Sequence, residues 1–384
     1  MKVLFIIQGE GRGHLTQAIS LKKILENNKH TVCGVFVGKS ISGEKPSFIE
    51  ADFNQTLTYF DCPSLVYRND GNGLSIQNTL KENLINFKAF FKSLKLLKSN
   101  INKLEPDVIV NFYDILGGLF KLNNPFSTIP MVCIGHQYLL LHSSFKYPES
   151  SFLDRFLVNM NSRITAIGAK RQLALSLNPI SSEGRIRGIA PLLRFNVRDI
   201  IPQKGEYYLA YLTNHCLLPS LTKWQKQNPE VEVHCFCKTD IEIDQPNFHI
   251  HELNAQKFIA MMANAKGLLT SAGFESVCEA VYFGKPVFMV PVPNHFEQSC
   301  NAHDFYLYGA GLKAKEFQLD EFLDFTETYQ NKSNQFEDWC NYSQFTIIDH
   351  LEQCKSKRKK KVFKLNFKLN ISFSILSFLK LNIS

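Results

Sequence analysis

Residues 270–311 read TSAGFESVCEAVYFGKPVFMVPVPNHFEQSCNAHDFYLYGAG, and this stretch decides the fold. An apolar strand is expected from Gly267 to Thr270, then a turn of small residues around Ser271, then a helix from Gly273 to Phe283. A helix that opens directly after a strand leaves its first backbone N–H groups free. Its positive dipole end then faces whatever lies above the sheet edge, which makes a seat for a diphosphate. Glu279, a turn and a half into that helix, is placed to accept hydrogen bonds from two ribose hydroxyls. After the next expected strand, Pro286 to Val290, the loop PVPNHFEQ brings Glu297 and Gln298 to the carboxyl edge of the sheet. Open α/β sheets bind ligands at that edge, and acceptors beside an amide suit the ring hydroxyls of a sugar.

A second glycine-rich stretch, IIQGEGRGHLTQA at residues 6–18, follows the first expected strand, Lys2 to Ile7. A dinucleotide-binding turn needs a third glycine and a carboxylate about twenty residues on. Here His14 stands at the third glycine's place, and the second strand ends in Val37-Gly38-Lys39 without an acid. The stretch alone stays ambiguous between an anion site and a platform for His14.

Elsewhere short apolar strands alternate with amphipathic helices. The first half reads as helix Leu15–Asn27, strand Thr31–Val37, a long helix Gln77–Leu104, strand Asp107–Phe112, helix Ile115–Leu122 and strand Pro130–Gly135. The pattern resets near 185–198 and begins again with strand Tyr207–Leu212, strand Val231–Cys237, helix Ala255–Ala265 and, at the end, a helix around Asp320–Gln353. Strands alternating with helices imply parallel pairing with right-handed crossovers, hence two similar doubly wound α/β halves. The expected division is 1–187, 188–354 and a tail at 355–384.

The chain has 384 residues and a formal net charge of +8, but nine Lys or Arg and no acid lie in 355–384. The rest carries 34 basic and 35 acidic residues, so the basic surface of a nucleic-acid-binding fold is absent. The first apolar run is broken by Gln8 and Glu10, too soon for a signal peptide or a spanning helix, and a cytoplasmic body is expected. The tail, with lysines and asparagines among its apolar residues, reads either as a loosely ordered end or as an electrostatic contact with an anionic membrane. Each basic residue near such a surface contributes about 1 kcal/mol. The ten cysteines lack paired spacing and read as reduced thiols.

The small residues before Glu279, then Gly284-Lys285-Pro286, Pro291, Glu297-Gln298, Asn301-Ala302 and Gly309-Ala310-Gly311 resemble the donor-binding region of GT-B glycosyltransferases. The pattern is similar to UDP-glycosyltransferases and to the N-acetylglucosaminyltransferases of the lipid-linked peptidoglycan precursor. GEGRGHLTQA resembles the first loop of the same families, although LTQ replaces the usual proline after the histidine. The resemblance implies two Rossmann-like domains facing across a cleft, with the acceptor bound by the first and a UDP-linked sugar by the second. It implies that Gly273, Phe274 and Ser276 hold the diphosphate with Gly13, Thr213, Asn214 and Ser271. Glu279 would hold the ribose, Leu253 and Asn254 would cup the base, and Glu297 with Gln298 would read the donor sugar.

Sugar transfer needs a deprotonated acceptor hydroxyl and a stabilised leaving diphosphate. His14 is the expected base, and general-base help contributes roughly two to four orders of magnitude in rate. The helix end at Gly273 serves the diphosphate, so neither metal nor cofactor is expected, and single displacement inverts the anomeric carbon. The loop acids Asp240, Glu242 and Asp244 are a weak metal candidate. Asp114, after the strand DVIVNF, has two readings: a carboxylate orienting His14, or the cap of the following helix. His136 and Gln137 are expected to face the acceptor, with surface packing as the alternative, and His14 itself could merely cap a helix. A nucleotide-sugar epimerase, a non-catalytic sensor and a dehydrogenase remain rivals. The loops at 40–75 and 138–154 carry no motif that identifies the acceptor.

Overall fold

The computed structural model describes residues 1–356 apart from 40–44, 46, 54–55, 64–65 and 67–74. Half of the expected acceptor loop at 40–75 therefore lies outside the described residues, as does the tail from 357 onward.

The first half is a seven-stranded parallel sheet. Its strands are β1 (Lys2–Ile7), β2 (Thr31–Lys39), β3 (Leu57–Asp61), β4 (Val108–Phe112), β5 (Met131–Gly135), β6 (Arg171–Leu175) and β7 (Ile186–Ile189), in the order β3-β2-β1-β4-β5-β6-β7. Helices α1 (Gly13–Asn27), α2 (Glu50–Phe53), α3 (Ile76–Ile85), α4 (Phe87–Leu104), α5 (Ile115–Asn123) and α6 (Phe152–Thr165) connect them. The second half is a six-stranded parallel sheet of β8 (Tyr208–Leu212), β9 (Val233–Cys237), β10 (Phe248–His251), β11 (Gly267–Thr270), β12 (Val287–Met289) and β13 (Gly311–Lys313), ordered β10-β9-β8-β11-β12-β13. Its helices are α7 (Leu218–Gln227), α8 (Ala255–Ala263), α9 (Phe274–Tyr282), α10 (Phe296–Tyr308), α11 (Asp320–Thr328) and α12 (Ser333–Cys354).

The strands are apolar throughout because both faces are covered. In β1, Val3, Phe5 and Ile7 enter one core while Leu4 and Ile6 enter another, as the two-residue period of a strand requires. One of the three apolar clusters runs from β1 and α1 through β11 and α9 to α12, so the two halves share a core.

Two expected helices are divided. The one at 77–104 breaks at Asn86, whose side chain donates to the Glu82 carbonyl (2.9 Å) in competition with the helical ladder. The one at 320–353 breaks after Thr328, where Tyr329 turns to an extended conformation at ψ 123°. The expected boundary between 187 and 188 falls inside β7, and α12 crosses back to the first half. There Trp339 Nε1 donates to the Ser176 carbonyl (2.8 Å), Ser343 Oγ accepts from Ala190 N (2.8 Å), and Arg171 donates to Gln353 (2.6 Å).

Truncating the Trp339 indole, 9% exposed, removes apolar contact and a hydrogen bond from this strap at once. Trp339→Ala is expected to lower stability by about 3–5 kcal/mol, read as a lower urea midpoint by circular dichroism.

Candidate active site

Each sheet reverses its winding direction once, between β1 and β4 in the first half and between β8 and β11 in the second. Ligands of doubly wound sheets sit at the carboxyl ends of the strands at such a reversal. Here the two reversals face one another, and between them lies a cavity of about 580 Å³, a size suited to a nucleotide-sized ligand. Gly13, His14, His136 and Gln137 line it from the first half; Thr213, Leu253, Asn254, Gly273, Phe274, Ser276, Glu297 and Gln298 line it from the second.

Two uncapped helices point their N-termini at this space. Most helix starts around it are closed by a side chain: Asn254 accepts from Lys257 N, His295 from Gln298 N and Asp114 from Leu116 N. At α9 the N-cap is Gly273 and at α1 it is Arg12, and neither side chain caps. Their first N–H groups stay available to an anion. The turn before α9 places Ala272 in the left-handed region at φ 61°. The early glycines serve close approach: a side chain at Gly9 would strike the Gly38 carbonyl, and Gly11 adopts φ 77°.

His14 occupies the first turn of α1, over Tyr113 with ring centroids 5.7 Å apart. Its Nδ1 lies 3.4 Å from Gln17 Oε1 and its Nε2 lies 3.4 Å from Gln137 Nε2. The two amides are themselves oriented by carboxylates of the other half: Gln17 Nε2 donates to Glu275 Oε1 (2.6 Å), and Gln137 Nε2 donates to Glu297 Oε1 (2.9 Å). With both amide groups fixed, Gln17 presents an acceptor to Nδ1–H and Gln137 presents a donor to Nε2. The arrangement therefore keeps the proton on Nδ1 and the lone pair on Nε2. Burial lowers the imidazole pKa to about 4, which leaves it neutral near pH 7.

Several expected roles change. Asp114 does not orient His14; Gln17 and Gln137 do, while Asp114 caps α5 by accepting from Leu116 N (2.8 Å), and burial raises its pKa to about 7. Glu279 is fully buried and does not line the cavity, because Arg194 takes both of its oxygens, at 2.6 and 2.7 Å. Arg194 borders the cavity in its place. Asn214 caps the short turn at His215–Leu217 and lies outside the lining, and so does Ser271, whose hydroxyl is 2.7 Å from that of Thr213. His136 lies at the wall but is committed to packing: Nδ1 donates to the Leu175 carbonyl (2.9 Å), and the ring stacks on Phe274 at 4.1 Å. Gln298 spends its oxygen on Val292 N (2.8 Å) and turns its amide towards Thr213 (3.4 Å). Glu297 remains at the wall beside Gln137.

Arg12, Gln17, Arg194 and Glu275 also border the cavity, although none is among the expected site residues. Glu275 stood two residues past Gly273 and Gln17 one turn past His14, so helical spacing was the available signal. Arg194 had none. Among the described residues, one group has metal-ligand proximity, Glu232 with His234 and His249, and none of the three borders the cavity; Asp240, Glu242 and Asp244 are not part of it.

Two Rossmann-like domains with their reversals facing across a cleft define the GT-B class. The profile of glycosyl transferase family 1 matches residues 1–328, and the chain belongs to that family of glycosyltransferases. No curated relative matches by sequence alone. Among solved structures, the glycosyltransferase of kitacinnamycin is similar at TM-score 0.61 and 15% identity, over 92% of this chain and 99% of that one. LpCGTa, solved in complex with UDP, gives 0.60 and 14% over 92% of this chain and 98% of its own. MurG of Acinetobacter baumannii gives 0.55 and 15% over 92% and 100%. At such identities the likeness carries the fold.

Arg194→Met would leave Glu279 buried without its cation. The expected loss is about 3 kcal/mol, read by denaturant unfolding, because an unpaired interior carboxylate is far costlier than the pair.

Proposed function

We propose that the protein transfers a hexosyl or N-acetylhexosaminyl group from a nucleotide sugar, UDP-linked in the simplest case, to an acceptor hydroxyl with inversion. The observation that carries this reading is His14 at the wall of a cavity that also receives two open helix N-termini, with Gln17 holding its proton on Nδ1 and only the amide of Gln137 at Nε2. In the proposed reaction the acceptor hydroxyl displaces the Gln137 amide from Nε2, which takes the hydroxyl proton as the oxygen attacks the anomeric carbon. The C–O bond to the diphosphate breaks, and its electron pair leaves with the phosphate oxygen. The α9 N-terminus receives the growing negative charge without reorganising, supported by Arg12 at the wall. This charge inventory supports the expectation of metal-independent transfer. Glu297 would accept from a hydroxyl of the donor sugar, Leu253 and Asn254 would border the base, and Gln137 would steer the acceptor. Donor and acceptor thus enter one cleft from opposite halves.

Incubation with UDP-glucose, UDP-N-acetylglucosamine and dTDP-glucose, reading nucleoside diphosphate release, tests the proposal. His14→Ala is expected to slow release by roughly 10²- to 10⁴-fold; an unchanged rate would remove His14 from the chemistry. A base must be unprotonated to act, so kcat/KM should stay level from pH 7 down to about 5 and fall as pH drops through the imidazole pKa of about 4.

The basic residues of 355–384 support a contact with an anionic membrane, which fits a lipid-borne acceptor. Removing residues 357–384 should abolish co-sedimentation with phosphatidylglycerol vesicles, and equal sedimentation of both forms would end that reading. No helix among the described residues is long and apolar enough to cross a membrane.

A further inference from the structure

Glu275 is the one acidic residue in the first turn of α9, directly beside the proposed diphosphate seat. A carboxylate there suits an empty helix N-terminus, but it opposes an anion arriving at the same N–H groups. The neighbouring acid on this face, Glu279, is neutralised by Arg194; among the described residues no cation forms an ion pair with Glu275. Its Oε1 accepts from the neutral amide of Gln17, while Oε2 is buried and has no hydrogen-bond partner, although the residue borders the cavity and is 7% exposed. The approach is tight: a side chain at Gly13 would sit 3.5 Å from Glu275 Cγ, so only bare backbone at the start of α1 lets the two helix ends converge here. An ionised carboxylate with one oxygen buried and unpartnered is a costly arrangement. A proton on Oε2 removes the charge and turns that oxygen into a donor, the same logic by which a buried carboxylic acid serves as an anion's hydrogen-bond partner.

We infer that Glu275 binds in its protonated form and donates Oε2–H to a phosphate oxygen of the nucleoside diphosphate, so that the site closes to its donor when this proton is lost. The inference rests on the nucleotide-sugar reading above. The proton stays on Glu275 through the reaction. The acceptor's proton goes to His14, the electron pair of the broken C–O bond goes to the phosphate oxygen, and the hydrogen bond from Glu275 shortens as that charge grows. Burial, with the charge of Glu279 adding to it, raises the Glu275 pKa to about 8; the Gln17 bond and Arg194 oppose the rise. The other titratable groups facing it are Cys278 on α9, Cys340 on α12 and, through Gln17, His14 on α1. Burial raises both thiols and lowers the imidazole, so all three are uncharged near pH 7 and none supplies a compensating cation.

Calorimetric titration with UDP and with dTDP between pH 7 and about 9, below the range in which the N3–H of uracil and thymine ionises, tests this. The terminal phosphate has its second ionisation near pH 6 and is constant across that range. In the wild type, affinity should fall towards tenfold per pH unit above about pH 8, as ionisation of a single required acid dictates. Glu275→Gln keeps an acceptor for Gln17 and an N–H donor in place of Oε2–H but cannot ionise, so its affinity should be level over the range. Glu275→Ala, which lacks the donor, should bind about threefold to tenfold more weakly than Glu275→Gln at pH 7. An alkaline fall of the same steepness in Glu275→Gln overturns the inference while leaving the nucleotide reading intact. If the wild type binds neither nucleotide at pH 7, the nucleotide reading fails and this inference fails with it. Unchanged far- and near-ultraviolet dichroism of each variant certifies that the comparison is between folded proteins.

Discussion

The site depends on a pair of amide–carboxylate hydrogen bonds that cross between the two halves. Gln17 to Glu275 and Gln137 to Glu297 are the contacts through which the second half sets the protonation geometry of a histidine carried by the first. An imidazole has no intrinsic preference strong enough to fix its tautomer in a cavity. Two glutamines, each donating its amide N–H to an acid of the other half, fix it from both sides.

Burial supplies the second half of the design. The imidazole is pushed down and Glu275 is pushed up, both by desolvation, so each is neutral near pH 7. A neutral histidine can take a proton, and a neutral acid can give a hydrogen bond. The positive charge of the site comes from groups that need no titration: the helix ends at Gly13 and Gly273 and the Arg12 guanidinium, the charge of Arg194 being balanced by Glu279. Glu279, buried behind the wall, acts by holding Arg194 in place.

The fold serves this by bringing two winding reversals face to face. In each sheet the reversal opens a crevice at the carboxyl ends of adjacent strands, β1 and β4 in one, β8 and β11 in the other. Neither crevice alone could enclose a ligand with two reacting partners. The shared apolar core and the return of α12 across β7 keep the crevices opposed, and the Trp339 indole and the Ser343 hydroxyl are fixed points of that return.

The alternation of strands and helices, the two-half layout, the helix start at Gly273 and the placement of His14 after the first strand were all legible in the chain. These follow from period, turn composition and spacing, which are local properties of the chain. Tertiary structure alone decided which side chains meet. Asp114 was near His14 in topology yet turned to cap its own helix, because a helix start next to the residue outcompetes a ring on a neighbouring helix. Glu279 stood at the spacing for a ribose contact yet was claimed by Arg194, 85 residues away in sequence, for which no local signal exists. Gln17 and Glu275 lie 258 residues apart and touch at 2.6 Å. Such pairings are set by how two independently wound sheets pack, and no periodicity within either one encodes them.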